Sequence, residues 1–362
     1  MFNYEPILNL NEDERPPPDL KTWITDLPAY LRKIPINQLA IPGSHNGLTY
    51  KINAKSIIAL DCDDALKRIS SISKSILARW SSCQRVSILK QLESGVRYFD
   101  LRVEYDPHRS EFWCVHLMKA EQLPEALQDI DTFLNNHPNE ILILDFQHFL
   151  NFTSRPDHLK LITFLHDFFG KRLCPERSIA DVTVEWMNLL NHQIIIVYRH
   201  DICSETDFFD GYRFPVVYPI SSDPHLMLDS MSSHLAHSTS KNWCLVLKTV
   251  MEPNLRMVLR CPFANFRSKI AKSLLPHILT LLVPLRTYHP NVIVADFVEL
   301  DNAAFPRAIV NLNYESAMPN EEETTSTKPY WKKSRISKVL RQNSQKPNSF
   351  SESLDSDRRT PA

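Results

Sequence analysis

The feature that most limits the fold is a repeated pattern, in which a short apolar run ends in a polar residue and a stretch of helical period follows. Buried strands that alternate with amphipathic helices are typical of βα units in a parallel sheet. Eight runs have the strand pattern: Gln38–Ile41, Gly95–Glu104, Phe112–His116, Ile141–Phe149, Gln193–Arg199, Pro215–Tyr218, Trp243–Val250 and Val292–Phe297. They predict an α/β fold, an irregular (β/α) TIM-type barrel, although an open doubly wound sheet would give much the same pattern.

Two stretches between these runs have a clear helical period. Their apolar residues are Leu123, Leu127, Ile130 and Leu134 in the first, and Leu159, Ile162, Leu165 and Phe169 in the second, which Gly170 should end. The chain has only five glycines and no glycine-rich phosphate-binding motif. The two stripes therefore indicate helices that pack on the core of a barrel. The missing motif argues against an open sheet that binds a nucleotide.

Composition divides the chain into a barrel domain at residues 20–315 and a Ser/Lys/Arg-rich tail at 316–362, which we expect to be disordered. The 41 basic and 42 acidic residues give no overall field for nucleic acid. No signal sequence is recognisable, the longest apolar stretch is too short and too proline-broken to span a bilayer, and seven cysteines lie scattered. These observations predict a cytoplasmic protein with peripheral membrane contact at most.

Polar residues end most of the predicted strands. Asp100 and Arg102 share one face of their strand. The other polar residues at strand ends are His116, Gln147, Arg199, Lys248 and Asp296. Because the carboxyl ends of barrel strands meet at one rim, where the catalytic residues of such barrels lie, the set predicts an active site.

A histidine pair completes this set. His45 follows the first strand after Pro42 and Gly43, which we read as a turn that brings the imidazole to the same rim. His45, His116 and Arg102 would supply a base, an acid and a cation for the charge on phosphorus. Together they are the minimum set for cleavage of a phosphodiester.

Four segments carry a family resemblance: Leu39-Ala-Ile-Pro-Gly-Ser-His-Asn46, Gly95-Val-Arg-Tyr-Phe-Asp-Leu-Arg102, Val115-His116 and Glu140-Ile-Leu-Ile-Leu-Asp-Phe-Gln-His-Phe149. In order and spacing they resemble the animal X-domain-containing proteins of the phosphatidylinositol-specific phospholipase C family. The resemblance implies an irregular barrel that cleaves phosphatidylinositol at a membrane surface into diacylglycerol and a cyclic inositol phosphate.

The resemblance also implies a role for each site residue. His45 would be the general base, His116 the general acid and Arg102 the cation that offsets charge on phosphorus. Asp100 would hold Arg102, and Asp296 would orient His45. The candidates for substrate binding are Asn46, Gln147, Arg199 and Lys248.

The same resemblance predicts chemistry without a metal or other cofactor, because calcium-dependent relatives carry an acid where Arg102 stands. Two positions depart from the family pattern: Leu117 stands where glycine usually follows the acid histidine, and Asn46 where metal-independent relatives commonly have aspartate. These departures leave open a catalytically weak or inactive barrel that binds inositol-lipid headgroups or a protein partner. A metal-dependent glycerophosphodiester phosphodiesterase would need an early His-Arg and clustered acidic ligands, which are missing.

Overall fold

A parallel sheet that curls into an irregular barrel organises the chain. We analysed a computed structural model, which describes residues 18–315 apart from 219–225, 227–229, 232, 234–241, 252, 254 and 286–288. The strands are β1 Ile41–Ser44, β2 Tyr98–Asp106, β3 Glu111–His116, β4 Met118–Gln122, β5 Leu142–Leu150, β6 Ile194–Tyr198, β7 Phe209–Asp210, β8 Val216–Val217, β9 Val246–Lys248 and β10 Val292–Ala295. The predicted tail at 316–362 lies outside the described residues, so the domain limits stay a prediction.

The strand order in the sheet is β7-β6-β5-β2-β1-β10-β9-β8, with every neighbouring pair on this path parallel. Within the described part of the chain no ladder joins β7 to β8, so the barrel is irregular. This arrangement confirms the predicted fold class. The eight predicted strands recur with shifted limits, and the sequence did not reveal β4 or the two-residue β7.

Helices cover the outer surface of the sheet. They are α1 Ala29–Arg32, α2 Asp64–Ile72, α3 Lys74–Ser81, α4 Ile88–Glu93, α5 Leu123–Asn136, α6 Arg155–Phe169, α7 Val184–Leu189, α8 Leu255–Arg260, α9 Lys272–Leu285 and α10 Leu300–Glu315. The helices α5 and α6 confirm the two predicted amphipathic helices, and a capping box of Ser154 and Asp157 begins α6. Leu159 of the predicted stripe is exposed, and Leu161 is in the core instead. None of the helices described is long and apolar enough to cross a membrane.

The predicted turn at Pro42 and Gly43 is wrong, because both residues lie inside β1. A Cβ on Gly43 would stand 2.7 Å from Cγ2 of Val294 and 3.0 Å from Cδ1 of Tyr98. Glycine is therefore required here because neighbouring side chains fill the barrel interior up to its backbone. The chain turns only after Ser44, at residues 45–48.

His116 reaches the rim by a route that the sequence did not indicate. Only Tyr98 and Phe99 of β2 pair with β1, and the far half of β2 pairs antiparallel with β3 through Val103 and Cys114. Continued by two residues, this register brings His116 opposite Leu101. His116 therefore ends a returning hairpin strand, and the prediction that it ends a parallel barrel strand is wrong.

The barrel interior changes character along the strands. At the amino ends it is aliphatic, with Ile41, Ile143, Ile195, Val246 and Val292 in one buried cluster. Towards the carboxyl ends the same inward faces carry polar side chains, which are Asp100, Asp145 and Lys248, all buried. Because side chains alternate along a strand, these groups lie on the same inner face as the aliphatic ones and form the floor of the rim.

Candidate active site

His45 stands directly after β1, where its backbone and ring are both fixed. The backbone N–H of His45 donates to the carbonyl of Ala295 over 3.0 Å, and the side-chain amide of Gln84 donates to the backbone carbonyl of His45 over 3.0 Å. Nδ1 of the ring donates to Oδ1 of Asp296 over 2.8 Å. This contact leaves Nε2 as the unprotonated ring nitrogen, so it sets the tautomer that a general base needs.

His116 faces His45, with the two ring centroids 6.4 Å apart. Its Nδ1 donates to the backbone carbonyl of Ser81, the last residue of α3, over 2.7 Å. Burial, reinforced by the Arg102 guanidinium, lowers the pKa of His116 to about 3. The resting His116 is therefore neutral at pH 7, with Nε2 unprotonated.

Arg102 lies beside the histidine pair with spare donor capacity. Its NH1 is 3.7 Å from Oδ2 of Asp61, and its buried Nε has no hydrogen-bond partner among the described residues. A guanidinium with an unpaired buried N–H is costly unless a ligand completes its hydrogen bonds. Arg102 is accordingly placed to receive an anion.

The predicted contact between Asp100 and Arg102 is not among the ion pairs of the described residues, and that assignment is corrected. Oδ2 of Asp100 accepts from Nζ of Lys248 over 2.5 Å and lies 4.0 Å from Nε2 of His45. The carboxylate is thus held by Lys248 and not by Arg102. Burial opposes ionisation of Asp100, but Lys248, His45 and Arg102 together outweigh it, and the pKa of Asp100 lies below its usual value.

A register shift in the pairing of β2 with β5 makes Gln147 an extra residue in β5 and directs it into a network with Lys248. Nζ of Lys248 donates to Oε1 of Gln147 over 2.9 Å and to the Tyr218 hydroxyl over 3.3 Å, besides its bond to Asp100. The three protons of this ammonium are thus all engaged. Gln147 in turn donates to Asp145 and to the Tyr98 hydroxyl, each over 3.1 Å.

Arg199, predicted to contact a headgroup, is occupied in the same way. Its Nε and NH2 donate to the two carboxylate oxygens of Asp145 over 2.8 and 2.7 Å. The backbone carbonyls of Gly211 and Phe214 accept from NH1 and NH2. The structure thus brings Lys248, Gln147 and Arg199 together at the rim floor, where protein groups already hold them.

Asn46 has the left-handed backbone that asparagine tolerates better than most residues, with φ at 43°. Its Nδ2 is 3.2 Å from Nε2 of His45 and donates to Sγ of Cys83 over 3.4 Å, while its buried Oδ1 has no partner in the described part of the chain. Asn46 therefore links the base histidine to Cys83, whose Sγ is 3.5 Å from Nδ1 of His116.

Three side chains in the site are of the types that bind metal ions. The potential ligand atoms of His45, Cys83 and Asp296 lie within 4.8 Å of one another. Burial, and then the Asp296 carboxylate, raises the pKa of the Cys83 thiol well above its usual value, so the thiol is protonated in the metal-free protein. The Nδ1 of His45 donates to Asp296. An ion at this place would have to displace the proton from each of these groups.

Asp61 is a site residue that the sequence analysis missed. Besides its ion pair with Arg102, its Oδ1 accepts from the backbone N–H of Leu117 over 2.9 Å. Leu117 follows His116 in a left-handed conformation, with φ at 58°, and its side chain packs on a small cluster that includes Leu77 and Met118. One carboxylate thus links Arg102 to the turn after His116.

The only sequence signal for Asp61 is an acidic run, Asp61-Cys62-Asp63-Asp64, in a stretch without strand or helix periodicity. Cys83, Gln84 and the Ser81 carbonyl gave no signal at all, because isolated cysteine, amide and backbone groups follow no pattern. The geometry defines a β/α barrel with two histidines and an arginine at the rim that the carboxyl ends of its parallel strands form.

Comparison with known proteins agrees with this class. The family model for the phosphatidylinositol-specific phospholipase C X domain matches residues 68–200. Human PI-PLC X domain-containing protein 2 is 30% identical over 256 residues, which cover 69% of this chain and 84% of that protein. Zebrafish (Danio rerio) PI-PLC X domain-containing protein 3 is 28% identical over 316 residues, 84% of this chain and 96% of that protein. The chain belongs to the family of PI-PLC X domain-containing proteins.

Solved structures share the fold. A phosphatidylinositol-specific phospholipase C from Staphylococcus aureus aligns with a TM-score of 0.60 at 14% identity and covers 82% of this chain and 98% of its own. The enzyme from Listeria monocytogenes aligns with a TM-score of 0.56 at 15% identity, over 81% of this chain and 98% of its own. The recognised family and the barrel are thus confirmed.

Proposed function

We propose that the protein cleaves phosphatidylinositol at a membrane surface to diacylglycerol and a cyclic inositol phosphate, by acid–base catalysis without a metal. The observation that carries the proposal is the convergence of His45, His116 and Arg102, with the two rings 6.4 Å apart and one guanidinium N–H unpaired. The predicted cytoplasmic location stays a prediction.

His45 would act as the base. Its Nε2 would accept the proton of the inositol 2-hydroxyl as that oxygen attacks phosphorus, and Asp296 on Nδ1 would stabilise the imidazolium that forms. Asp100, 4.0 Å from Nε2, would add to this stabilisation. Asn46 would have to yield its contact with Nε2 to the hydroxyl.

His116 would act as the acid, and Arg102 would offset the charge on the oxygens of the phosphorus. The bond that breaks joins phosphorus to the diacylglycerol oxygen, which would take the proton from Nε2 of His116. Burial and Arg102 hold the pKa of His116 near 3 in the free protein. A phosphodiester anion bound between them would offset the Arg102 charge and raise that pKa, so substrate would help to load the acid.

A second candidate is a barrel that binds inositol-lipid headgroups with little or no turnover. It is favoured by the low pKa of His116 and by the engagement of Lys248 and Arg199 with protein groups, which leaves few free donors on the rim floor. The third candidate is a barrel that binds a protein partner in place of a lipid. A protein that neither releases product nor binds vesicles in the experiment below would favour it.

The test is release of inositol phosphates from phosphatidylinositol vesicles in the presence of a chelator. We expect a cyclic product from the wild type. The rate of its release should be about 10²–10⁴-fold lower in His45→Ala and about 10²–10³-fold lower in Arg102→Lys. His108→Ala is the matched control, because that histidine is exposed in the β2–β3 hairpin. Vesicle binding without product would support the headgroup-binding barrel, and activity that appears only with added calcium would contradict the proposal.

A further inference from the structure

The surface around α8 has a composition that the catalytic site does not explain. Three large apolar side chains point to solvent there: Leu255 is 41% exposed, Leu259 60% and Phe263 89%. They recur at intervals of four residues, so Leu255 and Leu259 share one face of α8. Val258 on the other side of this helix is buried.

Basic residues border these apolar side chains. Arg256 and Arg260, also four residues apart, are exposed on the adjacent face of α8. We call Leu255, Arg256, Leu259, Arg260 and Phe263 the α8 surface. An exposed helix face that is half apolar and half basic is typical of segments that lie in the interface of a bilayer.

The charge of this region differs from that of the whole chain. Residues 253–295 contain no aspartate or glutamate, although the chain as a whole has a net charge of −1. The basic residues in the same stretch are Arg256, Arg260, Arg267, Lys269, Lys272 and Arg286. Such a one-sided distribution is complementary to an anionic surface.

The α8 surface is tied to the rim that holds the candidate active site. It lies in the connection from β9, which ends at Lys248, to β10, which precedes Asp296. Phe266 packs edge-on against Phe297 with ring centroids 5.6 Å apart, next to Asp296. Arg267 donates to Glu299 over 2.9 Å. These contacts hold the segment at the carboxyl ends of the strands.

We propose that the α8 surface docks the barrel on an anionic lipid bilayer, with Phe263 and Leu259 inserted among the acyl chains and Arg256 and Arg260 at the lipid headgroups. This inference rests on the proposed function in one respect: docking here would present the rim to a membrane-bound substrate. The binding itself requires no turnover and is measurable without substrate.

The experiment is sedimentation of the full chain with vesicles of phosphatidylcholine and phosphatidylserine that contain no phosphatidylinositol. We expect binding to weaken about tenfold in Phe263→Ala, from the lost burial of one aromatic side chain. We expect about a fivefold loss for each of Arg256→Gln and Arg260→Gln. Added salt should reproduce the arginine effects and leave the phenylalanine effect in place.

Leu189→Glu and Leu259→Glu form a matched pair. Both leucines are exposed near helix ends, but Leu189 ends α7 at the amino ends of the strands, at 78% exposure. We expect Leu259→Glu to abolish vesicle binding and Leu189→Glu to leave it unchanged. Equal effects of the two changes, binding by none of the proteins, or equal binding to pure phosphatidylcholine would each overturn the proposal.

Hydrolysis of a soluble short-chain phosphatidylinositol, measured on the same variants, separates the two proposals. If docking is right, the variants that lose vesicle binding keep the wild-type rate on the soluble substrate. A wild type that binds vesicles but hydrolyses neither substrate would refute the enzymatic proposal and leave the docking surface supported. Equal loss of soluble-substrate activity in Phe263→Ala would show a structural defect and refute the docking role.

Discussion

Two arginines of the β2 segment, one just before the strand and one at its middle, have opposite surroundings. Arg97, just before the strand, is fully buried and donates to Glu140 and to the backbone carbonyls of Leu92, Val96 and Lys21. Arg102, within the strand, has one ion pair at 3.7 Å and a buried Nε without a partner among the described residues. Arg97 is fully hydrogen-bonded to protein groups, whereas Arg102 keeps a buried donor that is unpaired among the described residues.

The contrast extends to the carboxylates. Glu140 beside Arg97 also accepts from the backbone and hydroxyl of Thr25, so it ties the amino-terminal segment to the base of the barrel. At the rim, Oδ1 of Asp100 and Oδ1 of Asn46 are buried without partners within the described residues. Satisfied polar groups indicate a structural role, whereas several unsatisfied groups in one place indicate a binding site. The resemblance segment from Gly95 to Arg102 therefore carries both kinds of residue.

The largest effect that tests this contrast is on stability. Arg97→Met should lower the free energy of unfolding by about 3–5 kcal/mol, because it leaves the Glu140 carboxylate buried and unpaired. Arg102→Met should change the free energy of unfolding little, since its guanidinium makes no close ion pair. Urea unfolding of the two variants checks this, and equal losses would show that the two arginines have the same role.

A smaller effect is expected on the rate. Asp61→Asn removes the charge that holds Arg102 and should lower turnover about tenfold, since the guanidinium would lose its orientation. Its amide would keep an oxygen that can accept from the Leu117 N–H, so the fold should persist. Asp63→Asn, in the same acidic run, is the control. A rate unchanged in Asp61→Asn would mean that Arg102 needs no anchor.

The pH dependence of kcat/KM gives the third test. If protonated His116 is the acid, a pKa near 3 places the alkaline limb of the wild-type profile at low pH. Asn46→Asp adds a carboxylate next to Cys83, whose Sγ contacts His116, and its charge favours the imidazolium form and raises the pKa of His116. The alkaline limb should therefore move up by about one pH unit. A profile that does not move would exclude residue 46 from control of the histidines.

The smallest effect concerns Leu117, whose φ of 58° favours glycine. Leu117→Ala loses apolar packing but keeps the strained backbone, whereas Leu117→Gly loses the packing and relieves the strain. The glycine variant should thus be more stable than the alanine variant by about 1 kcal/mol. Thermal unfolding of the pair measures this difference, and an alanine variant that is the more stable would show that the turn is unstrained.

The sequence predicts the barrel because buried positions recur along the chain with the period of a strand or a helix, which produces the apolar runs and the helical stripes. The polar ends of β5, β9 and β10 are predicted for the same reason. The turn at Pro42 and Gly43 was mistaken, because a glycine needed for close packing looks like one needed for a turn. The register shift at Gln147 and the Asp61 contact could not be predicted, since each depends on residues far apart in the chain.

The hydrogen bond from His116 to the Ser81 carbonyl has a genetic consequence. No substitution of a side chain can delete a backbone acceptor, so the tautomer of this histidine is protected against single changes within the site. It depends instead on the placement of α3, whose Leu77, Ala78 and Trp80 are buried. Variants that loosen this helix would change the orientation of His116 from a distance, and if His116 is the acid, a survey of inactive variants should find them among the core residues of α3.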